Sequence, residues 1–199
     1  MTAARRASRQ RTTAETAIRL SLFLDGTGEA KVRTGIGFFD HMLTAFARHG
    51  LFDLEVEVEG DLHVDGHHTV EDTGLVLGAA LRDALGDKAG IARFGAAHVP
   101  MDESLVMAAV DLSGRPYLAF TGFTFDVPAV GGFDTPLAEE FFRALASEAR
   151  CNLHLRCLAA GNAHHMIEAA FKAVGRALRE AVALDPRVRG VPSTKGVLA

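Results

Sequence analysis

Apolar residues follow two rhythms along this chain. Ile167, Ala170, Phe171, Val174, Leu178 and Ala181 recur at steps of three and four, the spacing of one helical face. Val70, Leu77, Leu81 and Leu85 take similar steps. Helices are therefore predicted over 67–85 and 164–182. The stretches AIRLSLFL (17–24), LFDLEVEVEG (51–60), SLVMAAVDLSG (104–114), YLAFTGFTF (117–125) and CNLHLRCL (151–158) read as strands, and FDHMLTAFA (39–47) and EEFFRALA (139–146) as shorter helices.

The two long helices are copies. Set over each other without a gap, HHTVEDTGLVLGAALRDAL (67–85) and HHMIEAAFKAVGRALREAV (164–182) share eight of nineteen residues, an internal repeat rather than chance. The echo continues more faintly upstream. FDHMLTAFA lies over EEFFRALA, with Asp40 opposite Glu139 and His41 opposite Glu140, and LDGTG (24–28) resembles VDLSG (110–114). Each half reads as strand, turn, strand, short helix, strand, long helix. The expected fold is α+β: two similar units, each a sheet with two helices on one face, joined without a linker into one pseudo-symmetric protein. The divisions expected are a disordered Arg-rich tail at 1–11, a first unit at 12–100 and a second at 101–199.

Composition narrows the function. A 199-residue chain that is 48% hydrophobic can bury a sizeable core. Its net charge is −4 and its pI about 6.1, which argues against a general nucleic-acid or acidic-membrane binder. No apolar run approaches the roughly 18 residues of a membrane-spanning helix. Arg5, Arg6, Arg9 and Arg11 are followed by no apolar core of a signal peptide. Cys151 and Cys157 are six apart, no metal or redox spacing, so both read as reduced thiols of a cytoplasmic protein.

The chemistry lies in the string that opens each long helix, HHxxE, at His67–His68–Glu71 and His164–His165–Glu168. Adjacent histidines on a helix point roughly 100° apart, at about 3.6 residues per turn, so they suit two different ions better than one. Two such strings suggest two metals, each with ligands from both repeats. Mixed imidazole and carboxylate donors favour Mn, Fe or a similar divalent ion over structural Zn, which prefers Cys. His41 and its repeat partner Glu140 read as further ligands; the alternative for Glu140 is a solvated helix glutamate. His154, alternating on a strand with no histidine echo, reads as structural. Arg93, Arg115, Lys172, Ser193 and Lys195 are candidate anion contacts: the Gly-flanked Ser-Thr-Lys tail offers N–H groups, hydroxyls and a cation to a phosphate. Glu15, just before the first strand, has no role that spacing assigns.

Together LDGTG, TGIGFFDHML, DLHVDGHHTVEDTG, GIARFG, VPMDESL, DLSGRPYL, NAHHMIEAAFKA and PSTKG resemble imidazoleglycerol-phosphate dehydratases over residues 12–199. The resemblance implies a ribosomal protein S5 domain 2-like duplication. It implies a hydro-lyase of histidine biosynthesis that converts imidazole glycerol phosphate to imidazole acetol phosphate and water. It further implies two Mn²⁺ that bind the substrate as imidazolate, and a homo-oligomer of 24 subunits with active sites at subunit interfaces. Carried over by motif, the metal ligands are His41, His67, His68, Glu71, His164, His165 and Glu168. Substrate contacts fall on Glu15, His49, Arg93, Arg115, Lys172, Ser193, Thr194 and Lys195, with His41, His67 and His164 serving substrate as well as metal. The catalytic carboxylates are Glu15, Glu71 and Glu168, and proton movement falls to Glu15 or Glu168. One position departs from the family's common EHFF: this chain reads EEFF, with Glu140 where a ligand histidine is usual. The alternatives are a two-metal phosphoester hydrolase and a non-enzymatic metal-binding assembly.

Overall fold

The computed structural model describes residues 4–198. The first half runs β1 (Arg6–Thr12), β2 (Thr16–Phe23), β3 (Ala30–Arg33), α1 (Gly37–Gly50), β4 (Asp53–Gly60) and α2 (His67–Leu85). The second runs β5 (Phe94–Met101), β6 (Ser104–Asp111), β7 (Tyr117–Thr121), a small hairpin of β8 (Ala129–Val130) and β9 (Phe133–Asp134), α3 (Leu137–Ala149), β10 (Asn152–Ala159) and α4 (Ala163–Val182). The two four-stranded sheets have the same topology, β1-β2-β4-β3 and β5-β6-β10-β7. In each, the last-listed pair is parallel and the others antiparallel.

The repeat governs the packing as well as the order. α2 lies on β1 and β2 and pairs with α3 of the other half; α4 lies on β5 and β6 and pairs with α1. The aligned glycines make these crossed pairings possible. A Cβ on Gly78 would stand 2.5 Å from the Leu145 carbonyl oxygen on α3, and one on Gly175 would stand 2.5 Å from the Phe46 carbonyl oxygen on α1. With no side chain there, the helix backbones touch. Leu51 and Arg150 end α1 and α3 in the same left-handed conformation, φ 56° and 50°. One contiguous core results, in which Phe39, Phe141, Phe142 and Phe171 are fully buried between the halves.

Two expected divisions are corrected. Of the tail expected at 1–11, residues 1–3 lie outside the described residues, and the rest is ordered: Arg6–Thr12 pair with Ala17–Phe23 of β2 as an edge strand. The strand is polar because arginines, not apolar groups, hold it down. Arg9 pairs with Asp83 and Arg11 with Asp72, both on α2. A polar edge strand gives no alternating signal and resists pairing with another sheet. The boundary at 100/101 also moves. β5 hydrogen-bonds to β6, so Phe94–Met101 belong to the second half, and the divide falls between Leu85 and Phe94. FGAAHVPM is too small-sided to show as a strand, yet Gly95 is what lets it lie against α4, where a Cβ would meet the Ala177 carbonyl oxygen at 2.0 Å.

Candidate active site

Both HHxxE strings sit at helix starts, and both starts are built alike. The Asp65 carboxylate accepts the His67 N–H at 2.8 Å, and the Asn162 side-chain oxygen accepts the His164 N–H at 2.9 Å. Asn162 is the N-cap of α4, and Asp65, one residue before the α2 N-cap Gly66, makes the same contact two residues along; both satisfy donors the helix cannot. Each contact fixes the first turn and so the direction of both histidines.

In the second half-site, His164 Nε2 and His41 Nε2 stand 3.0 and 3.2 Å from the same Glu168 oxygen. Lys172 Nζ pairs with the other Glu168 oxygen at 2.6 Å. Phe38 packs its ring against the edge of His164, and Asp40 ties the start of α1 to Thr34, accepting its hydroxyl and N–H at 2.6 and 2.8 Å. Burial pushes the Glu168 carboxyl up, but Lys172, His164 and His41 outweigh it and hold it at about 2. An open cleft of about 650 Å³ spreads from this cluster over Thr44, Arg48 and His49 to the Gly28–Glu29 turn. Burial, with Lys172 and Arg176 nearby, pushes the His49 imidazole below its usual range.

Its neighbour His165 faces the other way. Both Glu103 oxygens lie 3.1 Å from His165 Nδ1, and Asp102 lies 3.8 Å from Nε2. Glu103 also accepts the Asn162 N–H at 2.7 Å, and that bond and the His165 ring hold its carboxyl at about 2. The first half-site repeats the pattern. His67 Nε2 is 3.6 Å from Glu71, His68 Nδ1 is 3.0 Å from Asp61, and His68 Nε2 is 3.6 Å from Glu15 at the β1–β2 turn. The Asp61 bond raises the His68 pKa.

The donor atoms of His41, His164 and Glu168 lie within 4.8 Å of one another, as do those of Asp102, Glu103 and His165. Clustered imidazole nitrogens and carboxylate oxygens fit a divalent ion of the Mn, Fe or Zn kind. No hydrogen bond or ion pair among the described residues links His67, His68 or Glu71 to His164, His165 or Glu168. The two half-sites of one chain thus stand as separate clusters.

Other expected residues are placed as follows. Glu140 is on α3, and its carboxylate lies 3.7 Å from Arg143. His154 is exposed on β10 beside the Tyr117 ring. The Arg93 guanidinium is engaged: it pairs with Asp111 at 2.8 and 3.2 Å and donates to the Pro192 carbonyl at 2.9 Å, anchoring the tail that carries Ser193, Thr194 and Lys195. Within that tail the Lys195 N–H bonds to the Ser193 hydroxyl at 3.2 Å. Arg115 is exposed after β6, its guanidinium without an ion pair among the described residues. Asp61, Asp65, Asp102, Glu103 and Asn162 escaped the sequence reading. Their only signal is membership of DLHVDGHH, VPMDESL and NAHH, strings already singled out for other residues.

Fold and site together define a duplicated α+β protein with a histidine–carboxylate cluster at the head of each long helix. The profile of the imidazoleglycerol-phosphate dehydratase family matches residues 34–178. The imidazoleglycerol-phosphate dehydratase of Streptococcus mutans is 59% identical over 194 residues, covering 98% of this chain and all of that one. That of Gluconobacter oxydans is 59% identical over 199 residues, covering the whole of both chains. Among solved structures, the Staphylococcus aureus imidazoleglycerol-phosphate dehydratase superposes with a TM-score of 0.82 at 41% identity, over 90% of this chain and 99% of that one. The chain belongs to the imidazoleglycerol-phosphate dehydratase family.

Proposed function

We propose that this protein dehydrates imidazole glycerol phosphate to imidazole acetol phosphate and water in cytoplasmic histidine biosynthesis, using two Mn²⁺. The observation that carries this is the pair of half-sites, one at the head of each long helix, with the same histidine and glutamate donors in both. Their separation within one chain supports an active site completed by a second copy; the family resemblance, not the geometry, implies a homo-oligomer of 24 subunits. His41, His67, His68, Glu71, Glu140, His164, His165 and Glu168 would hold the metals. When bound, the ions supply Lewis acidity toward the substrate's imidazole ring.

The remaining residues have the tasks that their surroundings allow. The leaving hydroxyl needs a proton and the adjacent carbon must lose one, giving an enol that becomes the ketone. Glu15 is exposed at a turn, and its closest ionic partner is His68 at 3.6 Å, so it is free to carry a proton. Glu168 is already engaged by Lys172, His41 and His164 and suits metal binding better; Glu71 is its counterpart. His49 and Lys172 face one cleft and would orient the substrate. Arg115, Ser193, Thr194 and Lys195 would take the phosphate, with Arg93 holding their tail in place.

The test is turnover of imidazole glycerol phosphate by Mn-loaded protein. A ketone product that retains its phosphate is expected. Release of inorganic phosphate would mean a hydrolase, and no turnover a binding assembly. Chelation should abolish the activity and Mn restore it.

A further inference from the structure

We infer that Asp61 and Glu103 are positioning residues, each holding Nδ1 of the second histidine in its pair so that the ring meets a divalent cation through Nε2. The inference rests on the metal-binding reading above.

The geometry is the same in both halves. His68 Nδ1 lies 3.0 and 3.2 Å from the two Asp61 oxygens, and His165 Nδ1 lies 3.1 Å from each Glu103 oxygen. An ionised carboxylate only accepts, so the proton of each ring must sit on Nδ1. In the neutral ring Nε2 then keeps its lone pair, the state a metal ligand requires. Each Nε2 faces a different carboxylate, Glu15 at 3.6 Å and Asp102 at 3.8 Å. Both distances exceed a hydrogen bond, so neither Nε2 is committed to a protein partner.

The origin of the two clamps separates this from copied packing. Glu15, Asp102 and Glu103 all lie at the turn joining the first two strands of their half. Asp61 does not, so Asp61 and Glu103 are not counterparts. Asp61 follows β4, whereas Glu103 lies between β5 and β6. In the ungapped register of the repeat, the partner of Asp61 is Leu158. Two unrelated segments thus deliver a carboxylate to the same nitrogen of equivalent histidines. Packing inherited through the duplication would use equivalent residues; a requirement on the ring does not have to.

The test uses the full-length protein labelled with ¹⁵N at histidine and read by solid-state NMR in the metal-free state, together with calorimetric titration of Mn²⁺. In the wild type, His68 and His165 should be protonated at Nδ1. Asp61→Ala should release His68 toward the Nε2–H form and weaken Mn²⁺ at one site by about 10- to 100-fold. Asp61→Asn, which can still accept the N–H, should recover most of that loss. Glu103→Ala should do the same for His165, and Glu103→Gln should recover it. Glu103 also braces the start of α4 through Asn162, so Asp61, whose carboxylate has only His68 as a hydrogen-bond partner among the described residues, is the deciding arm. Unchanged tautomer and unchanged affinity in Asp61→Ala would overturn the inference while leaving the metals in place. Loss of one ion in both Asp61→Ala and Asp61→Asn, with the tautomer unchanged, would make Asp61 a ligand and also overturn it. A wild type that takes up no Mn²⁺ would remove the metal reading itself.

Discussion

His41 on α1 and Glu168 on α4 meet across the two halves, Nε2 to Oε2 at 3.2 Å. The contact exists because the first half's short helix packs on the second half's long one, and it makes a three-donor cluster from residues 127 positions apart. His41→Ala should therefore lower Mn²⁺ affinity by at least about 10-fold at one site and leave the other filled. Counting bound metal by elemental analysis checks this; full occupancy with normal affinity would remove His41 from the ligand set.

Gly78 and Gly175 should be intolerant of even one methyl group. Alanine is normally the better helix former by about 1 kcal/mol. Here its Cβ would press on a backbone carbonyl at 2.5 Å, and backbone cannot swing aside as a side chain can. Overpacking of about 1–3 kcal/mol or more should win. Thermal unfolding of Gly175→Ala should show a lowered midpoint, and an unchanged or raised one would contradict the close approach of α1 and α4.

Glu140 and His154 are the two candidates for the last place in the proposed metal shell. Glu140 lies on α3, the helix that packs on α2, and stands opposite His41 in the repeat. His154 is exposed on β10, within a sheet rather than at a helix head. Glu140→Ala should lose metal at one site and most turnover, Glu140→His should keep two metals and substantial activity, and His154→Ala should stay fully loaded. The reverse pattern of metal counts for the two alanine variants would show His154 to be the ligand.

Asp53 should tie the stability of the cleft's Gly28–Glu29 wall to pH. Its carboxylate accepts the N–H groups of Thr27, Gly28 and Glu29 at 2.8, 3.1 and 3.1 Å, and these bonds, Thr27's foremost, lower its pKa. A pKa depressed on folding contributes stability that is present above the unfolded value, near 3.8, and is lost as pH falls through the folded one. Asp53→Ala should cost about 1–3 kcal/mol at neutral pH. The difference from wild type in denaturant melts should shrink below about pH 4. A difference independent of pH would mean that the charge plays no part.

The sequence alone carried the duplication, the four helices and five of the strands, because each leaves a local mark: apolar residues at helical steps, alternation along a strand, one HHxxE string copied in register. It also carried the donor types, since imidazole and carboxylate at helix starts already imply a divalent ion. Three kinds of information had no local mark. β1 and β5 are strands by virtue of their neighbours: one is held by arginines reaching α2, the other lies flat because Gly95 admits α4. The crossed pairing of α1 with α4 and α2 with α3 depends on which faces meet in space, so Gly78 and Gly175 aligned in the sequence without declaring what they touch. Asp61 and Glu103 are ordinary acidic residues until folding delivers each to the Nδ1 of a histidine; a hydrogen bond across 62 positions, Glu103 to His165, is a property of the tertiary structure, because no short-range periodicity encodes it.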